Sequence, residues 1–424
     1  MKKILLFALA ATLTLNASAE GYQVNTLSTK QLGMGHTSVS QKLNSESVWF
    51  NPAGAAYQEQ RFSISAGATG IMSEATATLD GTTYTTNNPM STPLYIYANY
   101  KVGKNLAVGF SLNTPYGSSM SWDDNWVGST LVQNISLTAY TAQPTISYKM
   151  FGGKLSIGAG LMMTWGNYEQ AKSLSAGVAD VAMSGEAGLK FGYNVGIMYD
   201  INDKWSIGAS YRSKIMMEVN NGEAEVEYSS EEMKDYIYTY AAYDTGCATL
   251  VGTEALMSNG FTAALPLPGT LSVGTTFYPT KRLTVSAEMQ WVQWSAYDSL
   301  DINFSGSEIS YEKNYSDTFM FRFGGQYELC DAITARVGFY IDQSPVADDY
   351  LNPETPSMTK LGYTCGASFM PVKSCRDFSI DIAYGYIMPA GSERSGSCAN
   401  GTETFAATYT AKAHTLALGV SWAF

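Results

Sequence analysis

Large apolar residues alternate with small or polar residues along most of this chain. In HTLALGVSWAF, at the C-terminus, one face carries only large apolar residues: Leu416, Leu418, Val420, Trp422 and Phe424. A period of two is typical of a β-strand with two unlike faces. The same pattern recurs in segments whose outward rows begin at Leu155, Leu189, Leu283, Ile333 and Phe378. Each segment is long enough for a tilted membrane-spanning strand of about 9–11 residues.

The connections between these segments alternate between short and long. Short turns lie near Gly103, Phe151, Asn202, Lys281, Cys330 and Cys375, and longer segments such as 220–262 separate them. Transmembrane barrels have short periplasmic turns and longer extracellular loops. The pattern predicts an all-β fold, a transmembrane antiparallel β-barrel of fourteen strands with both ends in the periplasm. The first strand should start near Arg61, and the last should end at Phe424.

The first residues indicate export. A basic pair, Lys2 and Lys3, precedes an apolar stretch from Ile4 to Leu15 and the small residues Ala17 to Ala19. This order is typical of a secretory signal peptide, which we predict to cover residues 1–19 and to be removed before Glu20.

The composition agrees with a barrel. Charged residues make up 15% of the chain and aromatic residues 13%, yet no apolar run of about 18 residues follows the leader. Because only helices and closed barrels satisfy their backbone in lipid, a membrane protein without such a run should be a barrel. The formal net charge of −12 argues against a nucleic-acid partner.

The sequence offers no obvious catalytic or metal site. Its five cysteines show no metal-ligand spacing, and the two histidines do not accompany a serine and a carboxylate at suggestive positions. We therefore expect no cofactor, no metal and no enzymatic activity. An odd number of cysteines in an exported protein leaves at least one unpaired. We expect at least one disulfide, with Cys247 and Cys398 in outer loops as one possible pairing.

The longest predicted outer loop contains a helical pattern. Ser229 and Glu232 have the spacing of a capping box, and apolar residues recur at helical spacing behind them: Met233, Tyr236, Ile237 and Tyr240. The apolar stripe has two interpretations. It packs against a neighbouring loop, or it captures a hydrophobic ligand at the barrel mouth.

Several segments in family order resemble a known family. They are GYQVNTLSTKQLGMG, the later NPAG, LNTPYGSSMSWDDNWVG, LPLPGTLSVGTTFYPTKRLTVSAEMQWVQWSAYD and DTFMFRFGGQYELCDAITARVGFYIDQSPVADDYLNPETP. In these segments the chain resembles FadL-type outer-membrane transporters of long-chain fatty acids and other hydrophobic compounds, which include the TodX-like aromatic hydrocarbon transporters. The resemblance implies a location in the bacterial outer membrane.

The resemblance also implies three parts: the signal peptide at 1–19, a small and mostly helical hatch at 20–58 that plugs the lumen, and the barrel at 59–424. The stretch SVWFNPAG has the pattern of neither helix nor strand. In the family, the element at Asn51, Pro52, Ala53 and Gly54 is the plugging turn. Proline locks φ and biases the preceding residue away from helix, which agrees with a sharp turn.

The transport route implied by the family is passive. Outer loops capture a hydrophobic molecule, the hatch moves, and the molecule leaves sideways through the barrel wall near a kink in the third strand. Gly109 is our candidate for that kink because glycine weakens a strand, and Pro115 lies at the strand's outer end. We expect outer-membrane lipid as a partner, recognition of the C-terminal Phe424 by the barrel-assembly machinery, and a monomer.

Five residues are candidate ligand contacts. Tyr22 matches an N-terminal aromatic that contacts ligand in the family. The other four are cations that parity places on inward-facing rows: Lys190, Arg212, Arg322 and Arg336. A buried carboxylate is bound well by arginine. Alternatively, these cations form salt bridges with the inward carboxylates Glu288, Asp342 and Asp381.

Other functions remain open from sequence alone. A general porin for polar solutes predicts an open lumen, which fits poorly with a hatch of nearly forty residues. A haem or surface-ligand receptor has only His36 as a candidate ligand, since His414 falls on a lipid-facing row. A structural or adhesive barrel is a further alternative.

Overall fold

A computed structural model describes residues 21–175, 177–305, 307–371, 378–400 and 403–424. Within these ranges, fourteen antiparallel strands form one closed barrel. The strands are β1 (Phe62–Leu79), β2 (Leu94–Lys101), β3 (Leu106–Ser121), β4 (Asn134–Met150), β5 (Leu155–Ser175), β6 (Ala179–Asn202), β7 (Trp205–Arg212 and Ile215–Tyr228), β8 (Phe261–Leu267 and Thr270–Thr280), β9 (Leu283–Val292 and Ser299–Phe304), β10 (Ser307–Glu312 and Thr318–Cys330), β11 (Ile333–Asp342), β12 (Lys360–Phe369), β13 (Phe378–Pro389 and Arg394–Asn400) and β14 (Glu403–Ala423). A short strand, Thr82–Thr85, pairs with the outer end of β1.

Pairing of the last strand with the first closes the barrel. β14 runs antiparallel to β1 from the Ser63–Ala423 pair to the Thr78–Thr408 pair. Beyond the end of β14, Phe424 exchanges two backbone hydrogen bonds of 2.8 Å with Phe62. The predicted strand number, first strand and last strand are therefore confirmed. The end with long connections is called the outer end below, and the other is the periplasmic end.

The two faces of the wall follow the predicted alternation. Side chains on the outward rows are exposed although they are apolar: Leu161 is 49% exposed and Phe191 is 61% exposed. Inward side chains are polar and fully covered, as at Asn113, Thr141 and Gln143. An apolar exterior around a polar interior is the arrangement of a barrel in lipid.

Residues 21–58, called the lumenal segment here, pack against the inward side chains of the wall. The segment contains α1 (Thr29–Gly33), a 3₁₀ turn (Asn44–Glu46), α2 (Ser47–Phe50) and a second 3₁₀ helix (Pro52–Tyr57). Ser28 caps α1 by accepting a hydrogen bond from the Gln31 amide. The expectation that SVWF is not helical is wrong, because this stretch forms the single turn of α2. Tertiary packing stabilises a helix too short to form alone.

The NPA element is a capped turn. Asn51 ends α2 in an extended conformation and caps the following 3₁₀ helix, with its Oδ1 accepting from the Ala53 amide at 3.1 Å. Pro52 takes the first position of that helix, where its missing N–H costs nothing. The Asn51 amide group also donates to the Val39 carbonyl at 2.6 Å and to the Ile197 carbonyl at 3.1 Å. One side chain thereby fixes the turn both to the lumenal segment and to the wall.

Glycines in the wall allow this turn to approach closely. A Cβ on Gly158 would clash with the Pro52 main chain, and one on Gly196 would clash with the Asn51 side chain. From the neighbouring strand, Ser147 donates to the Ala53 carbonyl at 3.1 Å. The NPA turn and the wall therefore fit closely, with the Pro52 main chain against the Gly158 main chain.

The loop between β7 and β8 carries two helices, α3 (Glu231–Tyr240) and α4 (Thr245–Met257). The helix predicted there is present, but its cap is Ser230, whose hydroxyl accepts from the Met233 amide at 3.1 Å, and not Ser229. The sequence did not predict α4, since the stretch TGCATLVGTEALM has no apolar stripe. Within the described ranges, no helix has both the length and the hydropathy needed to cross a membrane.

The connection between β11 and β12 folds inward and is held by a buried ion pair. Lys313 lies 2.5 Å from Glu354, and Gln170 donates to the same carboxylate at 2.8 Å. Burial favours the neutral form of Glu354, but the Lys313 charge, Lys172 and the hydrogen bond from Gln170 outweigh it, so the pKa of Glu354 lies below 4.5.

The predicted disulfide is absent from the described part of the chain. Cys247, Cys330, Cys365 and Cys398 are all free thiols. Cys247 lies in α4, and Cys398 is buried in the outer extension of β13, so the proposed pairing is wrong. Cys375 and its periplasmic turn lie outside the described residues.

The fit of the NPA turn predicts that Gly158→Ala is harmful. The added methyl group must displace the Pro52 backbone, and overpacking of this kind costs about 1–3 kcal/mol. We expect the Gly54 amide, which donates to the Asn51 carbonyl, to exchange with deuterium at least about tenfold faster. Gly188→Ala is the matched control because a Cβ there meets no atom within 4 Å. Equal exchange in both variants would show that the turn tolerates the methyl group.

The ion pair at the outer end predicts a pH effect. Because the folded-state pKa of Glu354 lies below 4.5, this carboxylate adds to the free energy of unfolding in full above about pH 4.5. The added free energy is lost as the pH falls through the folded-state pKa. Glu354→Gln leaves Lys313 buried without its partner, and such losses cost about 3–5 kcal/mol. We expect faster hydrogen exchange across residues 350–358, and little change in the exposed control Asp349→Asn. Unchanged protection in Glu354→Gln would contradict this role.

Candidate functional site

The third strand has a break in register, at its outer half. Pairs between β3 and β4 run regularly to Asn113–Thr141 and resume at Tyr116–Ala139, so β3 has one more residue than β4 in this interval. This is a β-bulge at Thr114 and Pro115. The irregularity of the third strand lies at these two residues and not at Gly109, where the register is regular.

Gly109 has a different role. It pairs in regular register with both neighbouring strands, opposite Asn99 and Thr145. A Cβ at this position would clash with the Val48 side chain of α2. The glycine therefore accommodates the lumenal segment.

Beyond the bulge, β3 loses its partner on the β2 side. β2 begins at Leu94, and its last pair with β3 is Tyr95–Asn113. The start of the lumenal segment takes the vacant place: the Val24 amide donates to the Pro115 carbonyl, and the Gly117 amide donates to the Tyr22 carbonyl, both at 2.9 Å. Residues 22–24 thus pair with β3 in the place of a neighbouring barrel strand.

A cavity of about 540 Å³ lies at this break. Its lining includes lumenal residues such as His36 and Tyr340, the N-terminal residue Gln23, and residues near the lipid-facing side such as Met90 and Tyr140. Met90 is 58% exposed, and Tyr140 stacks on the outward-facing Trp165 with ring centroids 6.0 Å apart. The lining of the cavity therefore includes both lumenal and outward-facing residues.

Tyr22 lies in a cluster of aromatic rings. Its ring meets Trp294 edge-to-face at 5.0 Å and Tyr297 edge-to-face at 5.8 Å, with Tyr116 at 6.4 Å. Its hydroxyl donates to the Pro266 carbonyl of β8. These four rings and Tyr315, which packs on Trp294 and Tyr297, are called the aromatic box below. The sequence predicted Tyr22 alone, although WVQWSAY, which supplies Trp294 and Tyr297, was a visible signal.

Arg322 is engaged in a salt bridge. Its guanidinium is 2.8 Å from Glu288 and also donates to Asn25 at 2.8 Å. Glu288 in turn accepts from the Ser38 and Val39 amides at 2.7 and 2.8 Å. This pair fixes the lumenal segment to the wall, as the salt-bridge alternative predicted.

Arg336 and Lys190 also have protein partners. Arg336 donates to Ser368 at 2.6 Å beneath α1. Lys190 forms an ion pair with Glu218. It lies where β6 and β7 are unpaired, between the Asn194–Arg212 and Ala187–Val219 pairs. Lys190 therefore links β6 and β7 across their unpaired stretch.

Arg212 differs from the other three cations. Its guanidinium lies over the Trp49 ring at 4.4 Å and donates to the Trp49 carbonyl at 2.8 Å. In the described part of the chain it has no carboxylate within ion-pair distance, and its buried Nε has no hydrogen-bond partner. Together with Phe50, Leu27 and Tyr116, it lines a small space of about 30 Å³ above α2.

The loop residues divide between two environments. Ile237 is buried and Met233 is half-buried, whereas Tyr236 and Tyr240 are 54% and 46% exposed. The two exposed rings lie 4.6 Å apart on α3. The packing interpretation fits Ile237, whereas the tyrosine pair is exposed on the surface of the loop.

The two histidines lie in different environments. His36 packs edge-to-face on Tyr340 at 5.1 Å inside the barrel, and His414 contacts Tyr384 on the lipid-facing side. Among the residues that the structure describes, no group of histidine, cysteine or carboxylate side chains could hold a metal ion.

Comparison with known proteins identifies the family. The family model described as "Outer membrane protein transport protein (OMPP1/FadL/TodX)" matches residues 10–424. An outer membrane protein of Neisseria meningitidis is 24% identical over 440 residues, covering 91% of this chain and 90% of that protein.

Solved structures share the fold. A Pseudomonas aeruginosa FadL homologue superposes with a TM-score of 0.80 at 18% identity, covering 96% of this chain and 100% of that one. The toluene transporter TodX of Pseudomonas putida gives a TM-score of 0.69 at 14% identity, covering 96% and 99%. Family and fold are those of transporters and channels, not of enzymes. The chain belongs to the OMPP1/FadL/TodX family of outer membrane transport proteins.

Proposed function

We propose that this outer-membrane transporter of hydrophobic compounds works by passive, gated diffusion with a lateral exit. The molecule is captured at the outer end, enters the lumen as the lumenal segment moves, and leaves through the break in β3. The observation that carries this proposal is the cavity of about 540 Å³ that connects lumenal and lipid-facing residues at the break.

A lateral exit suits a hydrophobic cargo. Each methylene group that leaves apolar surroundings for water costs about 0.8 kcal/mol. A path from the lumen into the bilayer avoids this cost, whereas a path into the periplasm does not. The lining changes from His36 and Gln23 inside to Met90 and Tyr140 outside, in the direction of the lipid.

The gate in this proposal is the N-terminal end of the lumenal segment. Two backbone hydrogen bonds join it to β3, and each contributes about 0.5–1.5 kcal/mol net. The NPA turn is held far more firmly, by Asn51, by wall serines and by the glycine contacts. Movement is therefore expected near Tyr22, with the turn at Asn51–Gly54 as its fixed end.

Capture and assembly use exposed residues. Tyr236 and Tyr240 offer an apolar surface at the outer end, next to the half-buried Met233 and buried Ile237. Phe424 is 58% exposed at the end of the last strand, where the barrel-assembly machinery can recognise it. We propose a monomer, since the barrel closes within one chain.

The porin alternative is less well supported. The lumenal segment covers the inward side chains of most strands, and the space beside Arg212 measures only about 30 Å³. The haem alternative depends on His36, which is buried inside the barrel and packs edge-to-face on Tyr340 at 5.1 Å.

Filling the exit should block transport. Thr138 lines the cavity on β4, and Thr138→Trp places an indole in the opening. We expect initial oleate uptake by cells lacking their own transporter to fall at least about fivefold, equivalent to about 1 kcal/mol. The control is Ala159→Trp, on the exposed outer face of β5, with surface levels matched. Wild-type uptake in Thr138→Trp would contradict a lateral exit. Steady ion conductance without oleate uptake by the wild type would favour a porin.

Arg212 should select for an acidic headgroup. A charge-assisted hydrogen bond contributes about 1.5–3 kcal/mol. We therefore expect Arg212→Met to weaken oleate binding by about tenfold or more and to leave the neutral oleyl alcohol nearly unaffected. Arg212→Lys keeps the charge and should retain part of the preference. Equal loss for the acid and the alcohol would assign Arg212 to holding α2 through the Trp49 carbonyl.

A further inference from the structure

The phenol side chain of Tyr22 occupies the centre of the contacts that define the aromatic box. The Tyr22 side chain is only 4% exposed, and the rings of Trp294 and Tyr297 meet it edge-to-face. Edge-to-face contacts are favourable for aromatic pairs beyond the area that they bury. Tyr22 is the third residue of the predicted mature chain, at the end of the segment that the proposed gate moves. Its ring is therefore an occupant that can leave.

The wall next to the box provides a backbone acceptor. Pairing between β8 and β9 stops at Ala263–Ile302 and resumes only at Thr270–Val292. Within this interruption, the Pro266 carbonyl accepts from the Tyr22 hydroxyl. The nearby Pro268 carbonyl accepts from the Tyr116 hydroxyl at 2.9 Å. The hydroxyls of Tyr22 and Tyr116 therefore replace backbone donors that β9 does not supply on this side of β8.

Because of this interruption, a ligand in the aromatic box needs a hydrogen-bond donor. A buried carbonyl without a donor costs free energy comparable to a lost hydrogen bond. A ligand that displaces Tyr22 satisfies the Pro266 carbonyl only if it carries a donor at the matching position. A hydrocarbon ring fills the same volume but leaves the carbonyl unpaired. Sites built around a hydrogen bond discriminate strongly against analogues that lack it.

From this geometry we infer that the aromatic box is a binding site for single-ring phenolic compounds, with Tyr22 as its built-in competitor. The inference rests on the proposed function, because the N-terminal residues must withdraw before a ligand enters. The bound phenol packs against Trp294 and Tyr297 and donates its hydroxyl proton to the Pro266 carbonyl. Loss of Tyr22 from the box also frees the edge of β3, since the Tyr22 carbonyl no longer accepts from Gly117.

The probes that test the site are p-cresol, which has the shape of a tyrosine side chain, and toluene, which lacks only the hydroxyl. Binding to the full-length protein in lipid nanodiscs is measured by calorimetry. Three proteins are compared: wild type, Tyr22→Phe, which keeps the ring but cannot donate, and Tyr22→Gly, which empties the box. Tyr97→Phe is the control, because Tyr97 also donates to a backbone carbonyl, that of Leu27, outside the box.

We expect p-cresol to bind most tightly to Tyr22→Gly, less tightly to Tyr22→Phe and least tightly to the wild type, because competition by the internal ring decreases in that order. In Tyr22→Gly, toluene should bind at least about tenfold more weakly than p-cresol, equivalent to about 1.4 kcal/mol. Tyr97→Phe should behave as the wild type does.

Two results would overturn the inference: equal affinity of Tyr22→Gly for the two probes, or no binding of p-cresol to it. Tyr22→Phe provides a second measurement if the glycine variant misfolds, because its phenyl ring still fills the box. Oleate uptake by the wild type, with its block in Thr138→Trp, is measured separately. If that block holds while p-cresol fails to bind, the phenol site is wrong and the lateral route stands. If p-cresol binds while Thr138→Trp still carries oleate, the route is wrong.

Discussion

Backbone hydrogen bonding in lipid is the constraint on which the rest of this structure depends. A wall of β-strands in the bilayer must pair every amide and carbonyl, and closure of β14 on β1 achieves this around the circumference. Besides the unpaired stretch between β6 and β7 near Lys190, the wall departs from full pairing beside the outer half of β3 and between β8 and β9. At both places Tyr22 supplies a missing partner, its carbonyl to Gly117 and its hydroxyl to Pro266. A single residue at the start of the lumenal segment thereby completes two interruptions of the wall.

The lumenal segment is held unevenly, and the unevenness has a function in the proposed route. Its NPA turn contacts glycines and accepts or donates hydrogen bonds at Asn51 and Ala53, so that displacement would break many close contacts together. Its N-terminal end is held by two backbone hydrogen bonds to β3 and by the ring and hydroxyl of Tyr22 in the aromatic box. Local opening occurs where few contacts must be broken. In the proposed route, the firmly held turn is therefore the fixed point and the N-terminal end is the part that moves.

The cations inside the barrel also differ in how firmly protein partners hold them. Arg322 and Arg336 hold the lumenal segment or the wall through protein partners, and removing them would leave buried groups unpaired. Among the described residues, Arg212 contacts the Trp49 ring and the carbonyls of Trp49 and Phe50 and forms no ion pair, and in the proposed route it binds the acidic headgroup. The transported molecule would then meet apolar surfaces along its chain and one cation at its head.

The sequence by itself determined the barrel. Strand number, the first and last strands, the lipid-facing rows and a helix in the longest loop followed from local periodicity and turn spacing, because these depend on neighbours in the chain. Only the tertiary structure decided where the wall fails to pair, since a break at Pro115 rather than Gly109 depends on what β2 and the lumenal segment place beside β3. The same holds for the free cysteines, for the engagement of Arg322 with Glu288 and for the aromatic box. Parity places a side chain inside the barrel, but its partner there comes from a distant part of the chain.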